Sequence, residues 1–488
     1  MTLSTDHPRK LAAPALFIDG EFRAAERAIP VQEAATGDLL ADGPCATEAD
    51  VDAAVAAAHD APAVAWGLAP AAERADVLKR YAAALRSRAE DTSRLVSREN
   101  GMPITLSRAV NGVFPAALVN YYAKLIRAWE PEEVRPAFVG HTIVRHEPVG
   151  VVGAITPWNY PQALAIMKLA PALAAGCPVV LKAAPETALD ALVFADAAVE
   201  AGLPRGVLSV LPGDAAAGAY LVSHPGVEKV AFTGSTNAGR VIGAECGRLI
   251  KPVTLELGGK SAAIILDDAD LDKTLTGLRE VSFVNNGQTC HLSSRILVPE
   301  TRYGEFVSAI ANLADGLRVG DPLDDATDIG PLVSARQRDR VLEYIEIGRG
   351  SGARLVAGGS VPRGFTRGWF VSPTVFADVD NRGPLAQEEI FGPVITISPY
   401  ASVADAVALA NDTEFGLAGT VWSENPARAL DVARAIRTGS IGVNHYQLDM
   451  QSPFGGVKAS GLGRELGPEG LQAYRVSKSM YCAEPLSQ

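Results

Sequence analysis

The chain has 488 residues, which at about 150 residues per domain predicts two or three domains. A composition 48% hydrophobic and 20% charged belongs to an ordinary globular protein with an ample core. The net charge of −12 excludes the basic footprint that nucleic acid or an anionic membrane requires, so any phosphate must be held by local backbone geometry.

Five cysteines, at 45, 177, 246, 290 and 482, are scattered with no CxxC and no paired spacing. That argues against a disulfide framework and against a metal site, and it fits a reducing compartment. Residues 1–10 hold no apolar run of the kind a secretory leader needs. The run most like a membrane span, Leu169 to Leu181, covers only 13 residues and contains Pro171 and Pro178. A span needs about 20. The expectation is a soluble, cytoplasmic protein.

Residues 16–34 read as a hairpin turning at Asp19-Gly20. Helices are predicted over 48–59, opened by Thr47 and an acidic first turn, over 72–97, and over 103–128. Strands and helices then alternate: strand 149–155, a helix to about Ala175, strand 178–182, helix 188–201, strand 207–211, helix 214–223 and strand 230–232. This alternation predicts a parallel sheet covered by helices, with ligands outside the carboxyl ends of the strands. After Phe232, the stretch from Thr233 through Gly234 and Ser235 to Gly239 opens a helix, where N–H donors and a positive dipole end can meet a phosphate. A tight helix start with no ligand fits it equally well. Gly259-Lys260-Ser261 resembles the end of a P-loop, but Thr254 stands where the first glycine belongs, which excludes an NTPase.

Residues 256–440 read as a second α/β unit, with helices 303–318, 335–348, 403–411 and 426–437 and strands 295–298, 393–397 and 418–422. No repeat or linker is visible, which predicts interlocked domains. Within this unit a polar turn, Phe283 to Leu292, lies between a helical run (Leu271, Leu275, Leu278, Val281) and a strand-like run, Arg295 to Val298. Cys290 then sits where a helix ends and the backbone turns. Such a place can expose a thiolate and aim N–H groups at whatever it attacks. A buried cysteine acting as a small hydrophobe is the other reading.

Several of these segments, in order over most of the chain, resemble the aldehyde dehydrogenase superfamily. They are Pro157-Trp158-Asn159, Lys182, Gly234-Ser235-Thr236 with Gly239, Glu256-Leu-Gly-Gly-Lys260, Gly287-Gln288 with Cys290, Glu388-Glu389-Ile-Phe391-Gly-Pro393, Asn444, and Pro453-Phe-Gly-Gly456. The resemblance implies an α/β protein with a Rossmann-like NAD(P)-binding domain (1–128 and 149–256), a catalytic domain (257–445) and a small β oligomerisation element (129–148 and 470–488). It also implies a homodimer or homotetramer.

The implied reaction is non-acylating oxidation of an aldehyde to its acid. Cys290 would be the nucleophile, the Asn159 amide and the Cys290 N–H the oxyanion donors, and Glu256 the general base, with Lys168 and Glu465 supporting proton transfer. Relatives that hand the acyl group to coenzyme A generally lack that base, so Glu256 favours hydrolysis. A CoA-acylating enzyme or a non-catalytic relative is the alternative.

For the cofactor, the resemblance implies Ile155, Thr156, Pro157, Trp158 and Asn159 along the cleft, with Leu257 and Gly258. Gly234 and Ser235 would meet the pyrophosphate, Glu389 the nicotinamide ribose, and Lys182 the adenine ribose, with Phe391 packing near the nicotinamide. Many NAD-preferring members carry Glu three residues after the lysine. Here that position is Pro185 and the carboxylate is Glu186, so NAD is expected and NADP stays open. The implied substrate tunnel is lined by Tyr160, Leu164, Met167, Val284, Thr289, His291, Phe454 and loop 445–451, with Asp449 and His291 as unusual polar entries. His291 either tunes the neighbouring thiol or substrate choice, or faces the interior.

Overall fold

Asp19 and Gly20 both have positive φ (56° and 76°), as a two-residue hairpin turn requires. They join strands Ala15–Ile18 and Glu21–Ala24, with Phe17 opposite Phe22. The computed structural model describes residues 14–483; the stretch 1–10 read for a leader and the last five residues of the expected oligomerisation element lie outside the described residues.

This hairpin forms one edge of an eight-stranded sheet. The order continues through Leu208–Val210, Val179–Lys182, Val152–Ile155, Lys229–Thr233, Val253–Glu256 and Gly461–Leu462. The five strands from Leu208–Val210 to Val253–Glu256 are parallel. Helices cover them on both sides, so Val179–Lys182 and Lys229–Thr233 are buried at every residue and read as apolar runs rather than alternating ones. Helix Pro161–Ala175 is likewise buried along its whole length.

A second sheet of seven strands runs Arg354–Ala357, Thr374–Ala377, Val394–Tyr400, Arg295–Pro299, Ala262–Ile265, Gly419–Trp422 and Gly442–Val443. All neighbours are parallel except the first pair. Strands Glu132–Pro136, His141–Pro148 and Arg475–Cys482 make a separate antiparallel sheet. The chain crosses from the first sheet to the second between Glu256 and Ala262, so the Glu256–Lys260 segment is the seam between them. Among the described residues no helix is long and apolar enough to cross a membrane.

Several sequence readings change. The helix expected over 72–97 is two, Ala71–Ser87 and Ala89–Asn100, because Arg88 leaves the helical region (φ −101°, ψ 3°). The apolar period runs through that break and hides it. Residues 27–32 pair with Leu39–Cys45 as a second hairpin and do not extend the first. The expected helix 103–128 contains a π-helical stretch, Arg108–Val113. Thr47 does cap helix Glu48–Ala58, through a reciprocal box with Asp50.

Candidate active site

Helix Leu271–Ser282 stops at Phe283, and the following residues are bent away from any helix. Asn285, Asn286 and Gly287 have positive φ of 52°, 59° and 76°. A left-handed run costs backbone energy at non-glycine residues and persists only where surroundings hold it. Here the two asparagine amides do so. Asn286 Nδ2 donates to the carbonyls of Gly101 and Pro331, both at 2.8 Å, and its Oδ1 accepts from the Gly330 N–H at 2.6 Å. Asn285 Nδ2 donates to the carbonyls of Asn159 (3.0 Å) and Gln288 (3.2 Å). Gly287 has no alternative, since a Cβ there would lie 2.0 Å from the Gly392 carbonyl.

The turn delivers Cys290 onto the seam. A Cβ at Gly259 would lie 2.3 Å from the Cys290 carbonyl oxygen, so only glycine lets the two segments touch. The cysteine is partly exposed, while Cys45, Cys177 and Cys246 are buried; all are free thiols. Solvent reaches Cys290 along a cleft, but protein surrounds it otherwise. Burial pushes its thiol up, and the facing carboxylates of Glu389 and Glu256 push it further.

Asn159 is buried beside the same turn. Its Nδ2 donates to the Gln288 carbonyl at 3.0 Å, two residues before the cysteine. That uses one amide hydrogen, and no second protein acceptor is present among the described residues. Its carbonyl is held by Asn285 and by Asn100 Nδ2 at 3.2 Å.

Glu256 ends strand Val253–Glu256 with its side chain 3% exposed and neither carboxylate oxygen in a hydrogen bond. The Gly456 N–H lies alongside, and a Cβ at Gly455 would come within 2.5 Å of Oε1, so the Pro453–Gly456 turn packs directly on the carboxylate. Burial and the neighbouring Glu465 hold the Glu256 carboxyl well above the usual range, while Lys168 and Arg464 oppose them. Lys168 Nζ donates to Glu465 Oε1 at 2.7 Å and to Thr233 Oγ1 at 2.5 Å, with both members of the ion pair buried. Cys290, Asn159, Glu256, Lys168 and Glu465 therefore converge from both sheets.

Beside them the carboxyl ends of the parallel strands form a long cleft. Buried Ile155 and Thr156 lead into Pro157 and Trp158, whose ring meets Phe391 edge-on at 5.4 Å. Gly234 donates its N–H to the Glu256 carbonyl, and a Cβ on it would strike the Phe232 ring at 2.5 Å. Ser235 caps helix Thr236–Leu249 through its bond to the Ala238 N–H. Buried Leu257 fills the space over Gly239.

Glu389 Oε1 accepts the Gly259 N–H at 3.0 Å, and a Cβ on Gly258 would meet Oε2 at 2.5 Å. Burial raises this carboxyl to about 7. Lys182 is buried and donates to the Gly213 carbonyl at 3.1 Å. Glu186, in the short turn Pro185–Thr187, is paired with the exposed Arg336 at 3.2 Å rather than with Lys182. An open helix start, glycines where side chains would collide, and carboxylates spaced along the cleft fit a dinucleotide with its phosphates at Gly234-Ser235.

The opposite mouth is mostly apolar. Tyr160, Leu164, Met167, Leu448, Met450 and Phe454 pack in one cluster with Cys290. The Tyr160 hydroxyl bonds Thr289 Oγ1 at 2.8 Å. A separate cavity of about 410 Å³ is mixed, lined by Phe283, Val284, Ile329 and Tyr446 together with Arg279, Glu280 and Asp328. A larger cavity, about 540 Å³ between Trp129 and Arg475, touches none of these groups. His291 lies against Tyr446 (5.1 Å) and Phe454 (6.3 Å), and burial lowers it to about 4. It is neutral at ordinary pH and offers the thiol no positive charge. Asp449 is exposed and capped within its own loop by the Gln451 N–H. Asn444 is a backbone brace, bonded to Ser423 through both its amide atoms.

The sequence reading did not pick out Asn100 or Asn285, which hold the Asn159 carbonyl, or Thr233, which accepts from Lys168. Asn100-Gly101 and Asn285-Asn286-Gly287 do carry the signal of a left-handed turn. Their side-chain partners are up to 185 residues away in the chain, and a local pattern does not name them.

The aldehyde dehydrogenase family model matches residues 22–480. The chain is 51% identical over 470 residues to the geranial dehydrogenase of Castellaniella defragrans, covering 96% of this chain and 98% of that one. Its fold superposes on a Mycobacterium tuberculosis aldehyde dehydrogenase complexed with NAD+ with a TM-score of 0.93, at 45% identity over 96% of this chain and 97% of that one. It also matches a cysteine-to-alanine variant of aldehyde dehydrogenase C from Pseudomonas syringae in complex with NAD+ and octanal, with a TM-score of 0.94 at 36% identity over 98% and 99% of the two chains. The chain belongs to the aldehyde dehydrogenase family and is an NAD(P)+-dependent aldehyde dehydrogenase.

Proposed function

We propose that this enzyme oxidises an apolar aldehyde to the free carboxylic acid with NAD+, through a covalent acyl group on Cys290. The observation that carries the proposal is the convergence of a partly exposed thiol, an amide with a spare hydrogen, and a buried carboxylate with no hydrogen bond of its own. The Glu256 carboxylate raises the thiol, so the pocket disfavours two negative charges. The Cys290 thiol gives up its proton to solvent before the attack, so that Glu256 is left to serve as the base of the second half-reaction.

The thiolate adds to the carbonyl carbon, and the oxygen gains the charge. Asn159 Nδ2 and the Cys290 N–H donate to that oxygen. NAD+, when bound at Glu389 and Gly234-Ser235, supplies the acceptor for the hydride. The acyl group is then a thioester on Cys290. Glu256 takes a proton from water, the water oxygen attacks the acyl carbon, and the C–S bond breaks to return the thiol and release the acid. Lys168 and Glu465 hold the charge behind Glu256 steady. Asn159→Ala should lower kcat on the order of 10²–10³-fold. The NAD+ KM should change far less than kcat in steady-state assays, because the spare amide hydrogen is aimed at the oxyanion.

The first sheet with its helices (1–128 and 149–256) serves the cofactor and the second (257–445) the substrate. The three-stranded element (129–148 and 470–488) joins subunits of a cytoplasmic homodimer or homotetramer. NAD+ is favoured over NADP+ because Glu186 puts a carboxylate near Lys182 at the adenosine end, where it would repel a 2′-phosphate. The relative named for geranial and the octanal complex support an apolar substrate, as does the apolar cluster of Tyr160, Leu164, Met167 and Phe454 packed with Cys290. A panel scored by cofactor reduction, with NAD+ and NADP+ in parallel and coenzyme A added in one arm, tests the proposal. Geranial and octanal should exceed aminoaldehydes at least tenfold in kcat/KM, roughly the effect of one to three kcal/mol of apolar contact. Preference for the charged substrates, or an acyl-CoA product, would overturn it.

A further inference from the structure

Two acidic side chains outside the chemistry are almost wholly buried: Glu99 is 1% exposed and Asp190 is 0%. Glu99 lies in the last turn of helix Ala89–Asn100, and Asp190 lies eight residues after Lys182. Glu99 accepts two consecutive backbone N–H groups, Leu189 on Oε1 at 2.9 Å and Asp190 on Oε2 at 3.1 Å. Gln162, in the first turn of the helix that follows Asn159, donates to Asp190 Oδ2 at 2.6 Å and to its carbonyl at 2.8 Å. Asp190 Oδ1 is buried with no N–H or hydroxyl donor, and its neighbour is the Glu99 carboxyl.

Two acceptor groups in contact need a proton between them. Burial raises both carboxyls, Asp190 to about 7 and Glu99 well above its ordinary value, so a proton is present at neutral pH. Burying two acids costs free energy unless every lone pair is used. The arrangement uses them to close one loop from two sides. Asn100, the next residue, extends the same clamp to the carbonyls of Trp158 (3.1 Å) and Asn159 (3.2 Å).

We propose that Glu99 and Asp190 are positioning residues that share one proton and fix the 183–190 segment, setting Lys182 and Glu186 for the adenosine end of NAD+. This rests on the cofactor assignment above. Glu99→Gln leaves one acceptor oxygen for two backbone donors and sets an amide N–H against one of them. Asp190→Asn keeps the pattern, because its amide donates to Glu99 and its oxygen still accepts from Gln162.

The expected result for Glu99→Gln is an NAD+ KM raised about tenfold, the effect of roughly one misplaced hydrogen bond. Its kcat at saturating NAD+ should stay within about twofold, and Asp190→Asn should match wild type in both. A wild-type NAD+ KM in Glu99→Gln, or the same defect in Asp190→Asn, overturns the proposal. Should Glu99→Gln fail to fold, Asp190→Ala keeps both backbone acceptors but removes the proton's partner, and it must show the same rise in KM. Lys182→Ala separates the two levels. If it leaves the NAD+ KM unchanged, the cofactor assignment itself is wrong; if it raises KM while Glu99→Gln does not, only the positioning role fails.

Discussion

Replacing Cys290 by alanine is expected to reduce aldehyde-dependent NADH formation on the order of 10⁴-fold or more, with NAD+ still bound at wild-type affinity. The size follows from what the thiolate does. A free aldehyde carbon is too electron-poor to release hydride, and only the tetrahedral adduct expels it readily, so without the sulfur no slower version of the same route remains. The NAD+ site should survive because Glu389, Gly234-Ser235 and Lys182 contact neither Cys290 Sγ nor one another through it. Stoichiometric labelling gives a second readout. Cys45, Cys177 and Cys246 are buried and Cys482 is partly exposed, so in a Cys482→Ser background loss of activity with a thiol reagent should track modification at Cys290 and be slowed by aldehyde or NAD+. Turnover above about a hundredth of wild type in the alanine variant would sink the covalent route.

Glu256→Gln should separate the two halves of the reaction. The first turnover releases NADH as a burst, and the steady rate falls on the order of 10²–10⁴-fold because the thioester waits for a base. Intact-protein mass spectrometry should then show the acyl group on Cys290. Burial and Glu465 raise the Glu256 carboxyl, so its basic form grows as pH rises through that raised value. Wild-type deacylation should therefore speed up with pH, and the dependence should disappear in the variant.

The same shift bears on stability with the opposite consequence. The folded state binds a proton at Glu256 that the unfolded chain has released, so its stability contribution declines as pH rises above the unfolded carboxylate value. Glu256→Gln should accordingly melt higher than wild type at alkaline pH. An equal or lower melting temperature there, or normal steady turnover, would contradict this account of the site.

Much of this was legible in the chain. Apolar runs such as Val179–Lys182 and Lys229–Thr233 announce a sheet buried on both faces, and the Asp19-Gly20 and Thr47-Asp50 patterns mark a turn and a cap by chemistry that acts within four residues. Cys290 stood out by its place in a polar turn between a helix and a strand, whereas Asn159 and Glu256 were legible only through the resemblance of their motifs to the aldehyde dehydrogenase superfamily. Less visible was whatever depends on contact across long stretches of sequence. The break at Arg88 lies inside an unbroken apolar period, and the bond between Asn100 and the Asn159 carbonyl joins the end of a helix to a bend 59 residues on. For His291 the sequence left open a role beside the nucleophile or an interior position, and its packing against Tyr446 and Phe454 with a lowered pKa fits the second.

Strand Val253–Glu256 belongs to one sheet and the turn carrying Cys290 hangs from the other, with Gly259 giving the clearance where they touch. Neither half alone owns a complete reaction centre. Competence is thus the last property to arrive as the polypeptide folds and the first to leave when its halves loosen. Mild heat or dilute denaturant should silence the enzyme while the helices and strands of each half are still in place.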